Sequence, residues 1–333
     1  NYNRVISDIF QAKKIQKRRD NMERKPTKVT IIGAGAVGSA CAFSIATQRL
    51  AAEIAIVDVN QAKAEGEAMD ISHGLITMGS MDIHAGTYED ISDSDLTIVT
   101  AGVGRKPGET RLDLAAKNIA IARDIIANLK KYWRDGAVMV VSNPVDVITY
   151  LIQKESGLPH GRVFGTGTVL DSARFRYLLT TRTDTDIRNI HGFTAGEHGE
   201  SQFAVWSSVH VSGMRLDSFC AKRGIVLDKE EIVKDTVSSG AQVIKRKGVT
   251  NYAIAAIVAE LTGTVIKDRG SIFSVTSVLE DYYGISDVAI SVPAFVGNTG
   301  VKGYLPYDFT EEELAKLRSS ASQIRAFMDS LKI

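Results

Sequence analysis

A histidine set among glycines is the first feature with chemical promise. In Gly196-Glu197-His198-Gly199-Glu200-Ser201 the small neighbours leave the ring of His198 room and suit a place that main chain must approach. Imidazole changes charge near neutral pH, which fits it for acid–base work. The bland alternative is a structural histidine. His73, His84, His160, His191 and His210 lack this setting and read as surface or core. Earlier in the chain, Leu170-Asp171-Ser172-Ala173-Arg174-Phe175-Arg176 sets an acid and a guanidinium at i, i+3. Taken alone, that pair is a helix-surface contact worth about 0.2–0.5 kcal/mol. Two further stretches carry polar groups. Ala101 to Arg111 holds three glycines with Arg105 and Arg111 and has the make-up of a mobile lid, and Ser142-Asn143-Pro144-Val145-Asp146 follows an apolar run.

The elements that must position these groups begin with Lys28 to Asp58. Val29-Thr30-Ile31-Ile32 reads as a strand, Gly33-Ala34-Gly35-Ala36-Val37-Gly38 as a turn into a helix, and Ile54-Ala55-Ile56-Val57 as a second strand ending in Asp58. Each part suits a dinucleotide. Gly33 allows the tight turn, Gly35 lets main chain approach a pyrophosphate, and Gly38 lets the helix pack close to the strand. The helix N-terminus offers free N–H groups to phosphate. Asp58 can accept both ribose hydroxyls and would repel a 2′-phosphate, which implies NAD over NADP. A glycine pattern without this context often marks only a turn.

Strand and helix go on alternating. Strands are expected at 82–85, 96–100, 137–141 and 162–164, and helices at 61–71, 112–131 and 146–154. That is two βαβ halves, hence an α/β fold with a doubly wound parallel sheet. Later, 203–211 and 271–279 read as strands of an antiparallel set, and 169–181, 230–247, 252–267 and 311–331 as helices. The expected division is an N-terminal arm or leader at 1–25, an NAD-binding domain at 26–166 and an α+β substrate domain at 167–333. The basic residues and apolar stripe of the first segment fit either an arm on a neighbouring subunit or a frayed leader.

Bulk properties exclude several classes. The 333 residues suffice for a large core, and a formal net charge of +1 gives no reason to expect nucleic acid or an anionic membrane as partner. Hydrophobic residues make up 44%, and no run approaches a membrane span. Cys41 and Cys220 are the only cysteines, which suits a reducing cytoplasm, and no signal peptide or metal is expected.

Several of these stretches together resemble the L-lactate and malate dehydrogenase family. The likeness rests on Gly-Ala-Gly-Ala-Val-Gly at Gly33, Thr-Ala-Gly at Thr100, Gly-Glu-Thr-Arg at Gly108 and Ser-Asn-Pro-Val-Asp at Ser142. Gly-Thr-Val-Leu-Asp-Ser-Ala-Arg-Phe-Arg at Gly167 and Gly-Glu-His-Gly at Gly196 complete it, in unbroken order from Thr27 onward. The resemblance implies a Rossmann-type sheet and hydride transfer between NADH and a 2-keto acid. It makes His198 the acid–base, Asp171 its partner, Arg174 the clamp on the C1 carboxylate and Arg111 the group that polarises the carbonyl. Asn143 would orient carbonyl and nicotinamide ribose, with Thr100 and Gly102 beside the cofactor. It also suggests a homotetramer and a fructose 1,6-bisphosphate site near Arg176 and His191.

The substrate is read from the lid. Arg105 stands where malate dehydrogenases of this family commonly carry Arg and lactate dehydrogenases Gln. A third guanidinium in a closed site needs a third anion, which oxaloacetate has and pyruvate lacks. Thr250 and the Gly196–Gln202 stretch pull toward lactate. The expectation is malate/oxaloacetate, with L-lactate/pyruvate as the alternative. An NAD-binding sensor without catalysis would not need Arg111, Asp171, Arg174 and His198 together. A nucleotide-sugar dehydrogenase would more often show Tyr-x-x-x-Lys, or Cys and Lys, in its second half.

Overall fold

A computed structural model describes residues 25–104, 108 and 110–333, with only the main chain of Arg111 among them. The expected arm, apart from Lys25, and the lid residue Arg105 lie outside the described residues. The first half alternates β1 (Lys28–Ile32), α1 (Ala36–Thr47), β2 (Glu53–Val57), α2 (Gln61–His73), α3 (Leu75–Met78), β3 (Asp82–Ala85) and β4 (Leu96–Val99). Then come α4 (Arg111–Tyr132), β5 (Ala137–Val140), α5 (Val145–Ser156) and β6 (Val163–Gly165). These strands are parallel, with Val29 level with Ile54 on one side and Leu96 on the other. Every residue of β1, β4 and β5 is buried. This is why they read as largely apolar runs: helices cover both faces of a parallel sheet.

After α6 (Val169–Thr183) the chain makes five two-residue strands: β7 (Ile190–His191), β8 (Thr194–Ala195), β9 (Phe203–Ala204), β10 (His210–Val211) and β11 (Met214–Arg215). Helices α7 (Leu216–Arg223), α8 (Lys229–Lys247) and α9 (Tyr252–Ile266) follow. The chain ends with β12 (Ser271–Val278), β13 (Ala289–Gly297), β14 (Gly300–Tyr304) and α10 (Glu311–Ser330). The strand expected at 203–211 is therefore not one strand. A 3-10 turn at Trp206–Ser208, closed by the Ser208 hydroxyl donating to the Val205 carbonyl at 2.6 Å, divides it. Its two ends join different sheets, β9 to β8 and β10 to β7 and β11.

The larger correction concerns the antiparallel strands β12, β13 and β14. They do not form a sheet of their own. β12 pairs with β6 through Thr276 and Gly165, giving one nine-stranded sheet in the order β14-β13-β12-β6-β5-β4-β1-β2-β3. One core cluster lies on the side of α1, α2 and α9 and includes Ile31, Ile45, Ile54 and Val258. Another lies on the side of α4, α5 and α10 and includes Ile125, Leu151, Ile290 and Leu317. No helix among the described residues is long and apolar enough to cross a membrane.

The order of the first half fixes where a ligand can enter. From β1 the chain winds outward to β2 and β3, then returns to β4 and winds the other way. The crevice at that reversal, beyond the carboxyl ends of β1 and β4, is where open sheets of this kind take ligands.

Candidate active site

The glycine turn sits in that crevice. Gly33 has φ +113°, and a Cβ there would stand 2.7 Å from the Ala101 nitrogen, so any side chain would be both strained and blocked. A Cβ on Gly38 would meet the Gly33 carbonyl oxygen at 1.8 Å. The Thr100 hydroxyl, from the end of β4, donates to the carbonyls of Ile32 (3.1 Å) and Gly33 (3.0 Å) and holds the turn shut. Gly35 differs, because a Cβ built on it would meet nothing within 4 Å. That open space at the N-terminus of α1 is the cradle a pyrophosphate needs.

Asp58 ends β2. One carboxylate oxygen accepts from the Ala34 N–H at 2.7 Å, the other from the Asn60 N–H at 2.8 Å. Each oxygen keeps a further lone pair for a ribose hydroxyl. The residues present therefore fit NAD. Asp58→Ser should narrow the preference for NADH over NADPH, measured as the ratio of their kcat/KM values. An unchanged ratio would take Asp58 out of cofactor choice.

The loops after β4 and β5 are tied together by a residue the motifs do not include. Asn118, buried on α4, accepts from the Val103 N–H at 2.8 Å and donates to the Asn143 carbonyl at 2.7 Å. The only sequence signal was a polar residue on an otherwise apolar helix face. Gly102 lies against the same side chain. The Asn143–Pro144 bond is cis. Thr110 caps α4 with its hydroxyl accepting from the Asp113 N–H at 3.1 Å, while the Asp113 carboxylate accepts from the Thr110 N–H at 3.2 Å. This reciprocal cap places Arg111 at the first helical position.

His198 and Asp171 meet. The Nδ1 of His198 lies 2.6 Å from one oxygen of the Asp171 carboxylate, and Arg174 donates to the other at 3.0 Å. The Asp171 side chain is 1% exposed, that of Arg174 16% and that of His198 26%, so the acid is sealed while its two partners keep some exposure. Burial alone would lower the His198 pKa, but the Asp171 charge and hydrogen bond, with the charge of Asp146, raise it above the ordinary value. Burial pushes Asp171 up, yet His198 and then Arg174 bring it below the usual range. Gly240, within α8, faces the Arg174 guanidinium, and a Cβ there would stand 3.3 Å from Nη2.

The structure thus brings Asp171, Arg174 and His198 together and sets Asn143 on the neighbouring loop. Thr250 lies partly buried in the turn between α8 and α9. Arg105 and the side chain of Arg111 lie outside the described residues. Among those residues, Glu53, His84 and Asp90 come close enough to hold a metal ion. Lys28 already supplies a cation there, with Nζ 2.8 Å from Glu53 and 2.8 Å from Asp90, at the opposite end of the strands from His198. Cys41 and Cys220 are both buried and unpaired.

Known proteins fit this geometry. Residues 27–165 match the model of the lactate/malate dehydrogenase NAD-binding domain, and residues 168–332 that of the family's α/β C-terminal domain. The chain is 44% identical over 309 residues to the L-lactate dehydrogenase of Thermoanaerobacter sp. (strain X514), covering 92% of this chain and 99% of that one. It is 43% identical over 307 residues to that of Priestia megaterium, covering 92% and 96%. Among solved structures, the L-lactate dehydrogenase of Clostridium thermocellum superposes with a TM-score of 0.83 at 45% identity, covering 92% of this chain and 100% of that one. A lactate dehydrogenase from a Medee basin deep-sea metagenome does so with a TM-score of 0.88 at 34% identity, covering 93% and 100%. With both domain models matched in order across a sheet and cleft of this form, the chain belongs to the lactate/malate dehydrogenase family, NAD-dependent enzymes acting on 2-hydroxy acids.

Proposed function

We propose that this dehydrogenase interconverts pyruvate and L-lactate, with His198 as its acid–base. The observation that carries the reading of the site is the Asp171 carboxylate, one oxygen on His198 and the other on Arg174. NADH, when bound, supplies the hydride that adds to C2 of the keto acid. Because Nδ1 is engaged by Asp171, Nε2 of His198 is the nitrogen left for substrate. In reduction Nε2–H gives its proton to the carbonyl oxygen as C2 takes the hydride, and Nδ1–H stays on Asp171. In oxidation the neutral Nε2 takes that proton back. Arg174, fixed through Nη1, has Nη2 free for the C1 carboxylate, and Gly240 leaves that nitrogen uncrowded. Arg111 opens α4, where the helix dipole disfavours a cation. That placement suits a guanidinium used on the substrate carbonyl rather than for the helix. Asn143 orients the carbonyl and the ribose.

The relatives at 43–44% identity, each named an L-lactate dehydrogenase, support pyruvate, as does Thr250. A second reading, oxaloacetate/malate, is favoured by Arg105. Comparing kcat/KM for the two keto acids on the unmodified protein separates them: a higher value for oxaloacetate would replace our reading with the second. The raised His198 pKa carries its own expectation. A histidine held protonated above its ordinary pKa keeps keto-acid reduction going to higher pH than a free imidazole would, with activity falling once pH exceeds the raised value. Asp171→Asn should move that fall to lower pH, seen in the pH profile of kcat/KM, because it removes the main charge favouring imidazolium. A profile that stays put counts against the pairing.

The same reading extends to assembly as a homotetramer. Phe43, Met69 and Tyr252, on α1, α2 and α9, are 50%, 59% and 75% exposed on one side of the sheet. It also places a sugar bisphosphate near Arg176 and the exposed His191. Arg176 donates to the Ile187 carbonyl at 3.3 Å, just before β7, and burial lowers its pKa.

A further inference from the structure

We propose that Asp146 is a positioning residue for the acid–base, fastening the main chain of His198 to the loop that carries Asn143 and setting a second carboxylate beside the imidazole. Asp146 is the second residue of α5, is 2% exposed and reaches across the fold in two directions. One carboxylate oxygen accepts from the His198 N–H at 2.7 Å. The other accepts from the Thr276 hydroxyl on β12 at 2.5 Å. Thr276 is the residue through which β12 joins β6, and its hydroxyl also lies 3.1 Å from that of Ser291 on β13. Three elements thus meet on one carboxylate: the loop after β5, the His198 loop and the antiparallel part of the sheet. Its place fixes how far His198 stands from Asn143, and so from the carbonyl both must reach.

A neutral amide could hold the same two partners. Its oxygen could accept from the His198 N–H and its NH2 group donate to the Thr276 oxygen. Geometry alone therefore does not call for a charge in a place where burial pushes the Asp146 carboxyl up to about 6. The charged groups acting on it are His198, which favours its anion, and Glu197, which opposes it. Those acting on the imidazole are Asp171, Asp146 and Arg174, and only Arg174 opposes its protonation. Asp146 therefore adds to Asp171 in holding His198 ready to donate.

This inference rests on His198 being the acid–base. The experiment is the pH profile of kcat/KM for pyruvate reduction by the full-length chain with saturating NADH, on wild type, Asp146→Asn and Asp146→Ala. NADH binding by fluorescence serves as the check on folding. Asp146→Asn should move the alkaline fall to lower pH by about half a unit or more. Asp146→Ala, which also frees the His198 N–H, should show the same shift with kcat at least tenfold below that of Asp146→Asn. Should Asp146→Asn not fold, Thr276→Val carries the test. The anion then loses a donor, is harder to hold, and the fall moves the same way. An unshifted fall in Asp146→Asn, or in Thr276→Val where that stands in, overturns the proposal, as does equal kcat in the Asn and Ala variants. Full activity of His198→Asn would instead sink the reading of the site itself.

Discussion

His198→Asn should lower kcat for keto-acid reduction by about 10²–10⁴-fold, with the affinity for NADH close to that of wild type. Asparagine matches the shape of the near half of the ring and can still donate to Asp171, so the local structure survives. It cannot deliver a proton from the position of Nε2. The residues proposed to hold the cofactor, Gly33 to Asp58 and Thr100, sit at the ends of β1, β2 and β4, on other elements than the His198 loop. Binding and turnover should therefore separate cleanly. Steady-state rates at 340 nm and a fluorescence titration with NADH measure the two. Retention of most of kcat would remove His198 from the mechanism.

Arg105→Gln should lower the ratio of kcat/KM for oxaloacetate over pyruvate by the worth of a buried charged hydrogen bond, about 2–5 kcal/mol, whichever substrate wild type prefers. Arg174 and Arg111 are occupied by the C1 carboxylate and the carbonyl in the proposed complex. A lid guanidinium closed over them would find an anion in oxaloacetate and a methyl group in pyruvate. An enclosed charge without a partner costs several kcal/mol, so the substitution should harm one substrate and help the other. Two steady-state assays on two proteins suffice. A ratio that does not move means that the side chain of Arg105 faces solvent.

Much of the fold could be read in the chain because burial on both faces leaves its mark on composition. β5 is apolar throughout, β1 and β4 are apolar apart from Lys28, Thr30 and Thr97, and the long helices keep their spacing to within a few residues of the observed ends. β13, the longest strand, is not among the expected strands, and Pro293 inside it is a residue that argues against a strand interior. The structure shows why it is tolerated. The Pro293 carbonyl accepts from the Leu305 N–H, one residue beyond the end of β14, so the missing N–H of Pro293 falls outside that ladder. The stretch 203–211 kept its apolar character while its halves chose different partners, and periodicity carries no information about partners. At the site, the motifs held Asp171, Arg174 and His198. They could not show that Asp146, 52 residues from His198 in the chain, accepts from its main chain. Nor could they show that Asn118 joins two loops from inside a helix.

The seam at Thr276 and Gly165 bears on how the two matched regions can be handled by selection. Each region looks like a portable module in sequence, yet the hydrogen bonds between β6 and β12 make them parts of one sheet. Separating them would bare a strand edge on both pieces, and an uncovered edge recruits other chains. The NAD-binding region and the region that carries His198 are therefore mechanically one unit. A substitution that shifts β12 moves Thr276, and with it the grip on Asp146, so the mechanical coupling of the sheet is also a constraint on which combinations of halves remain active.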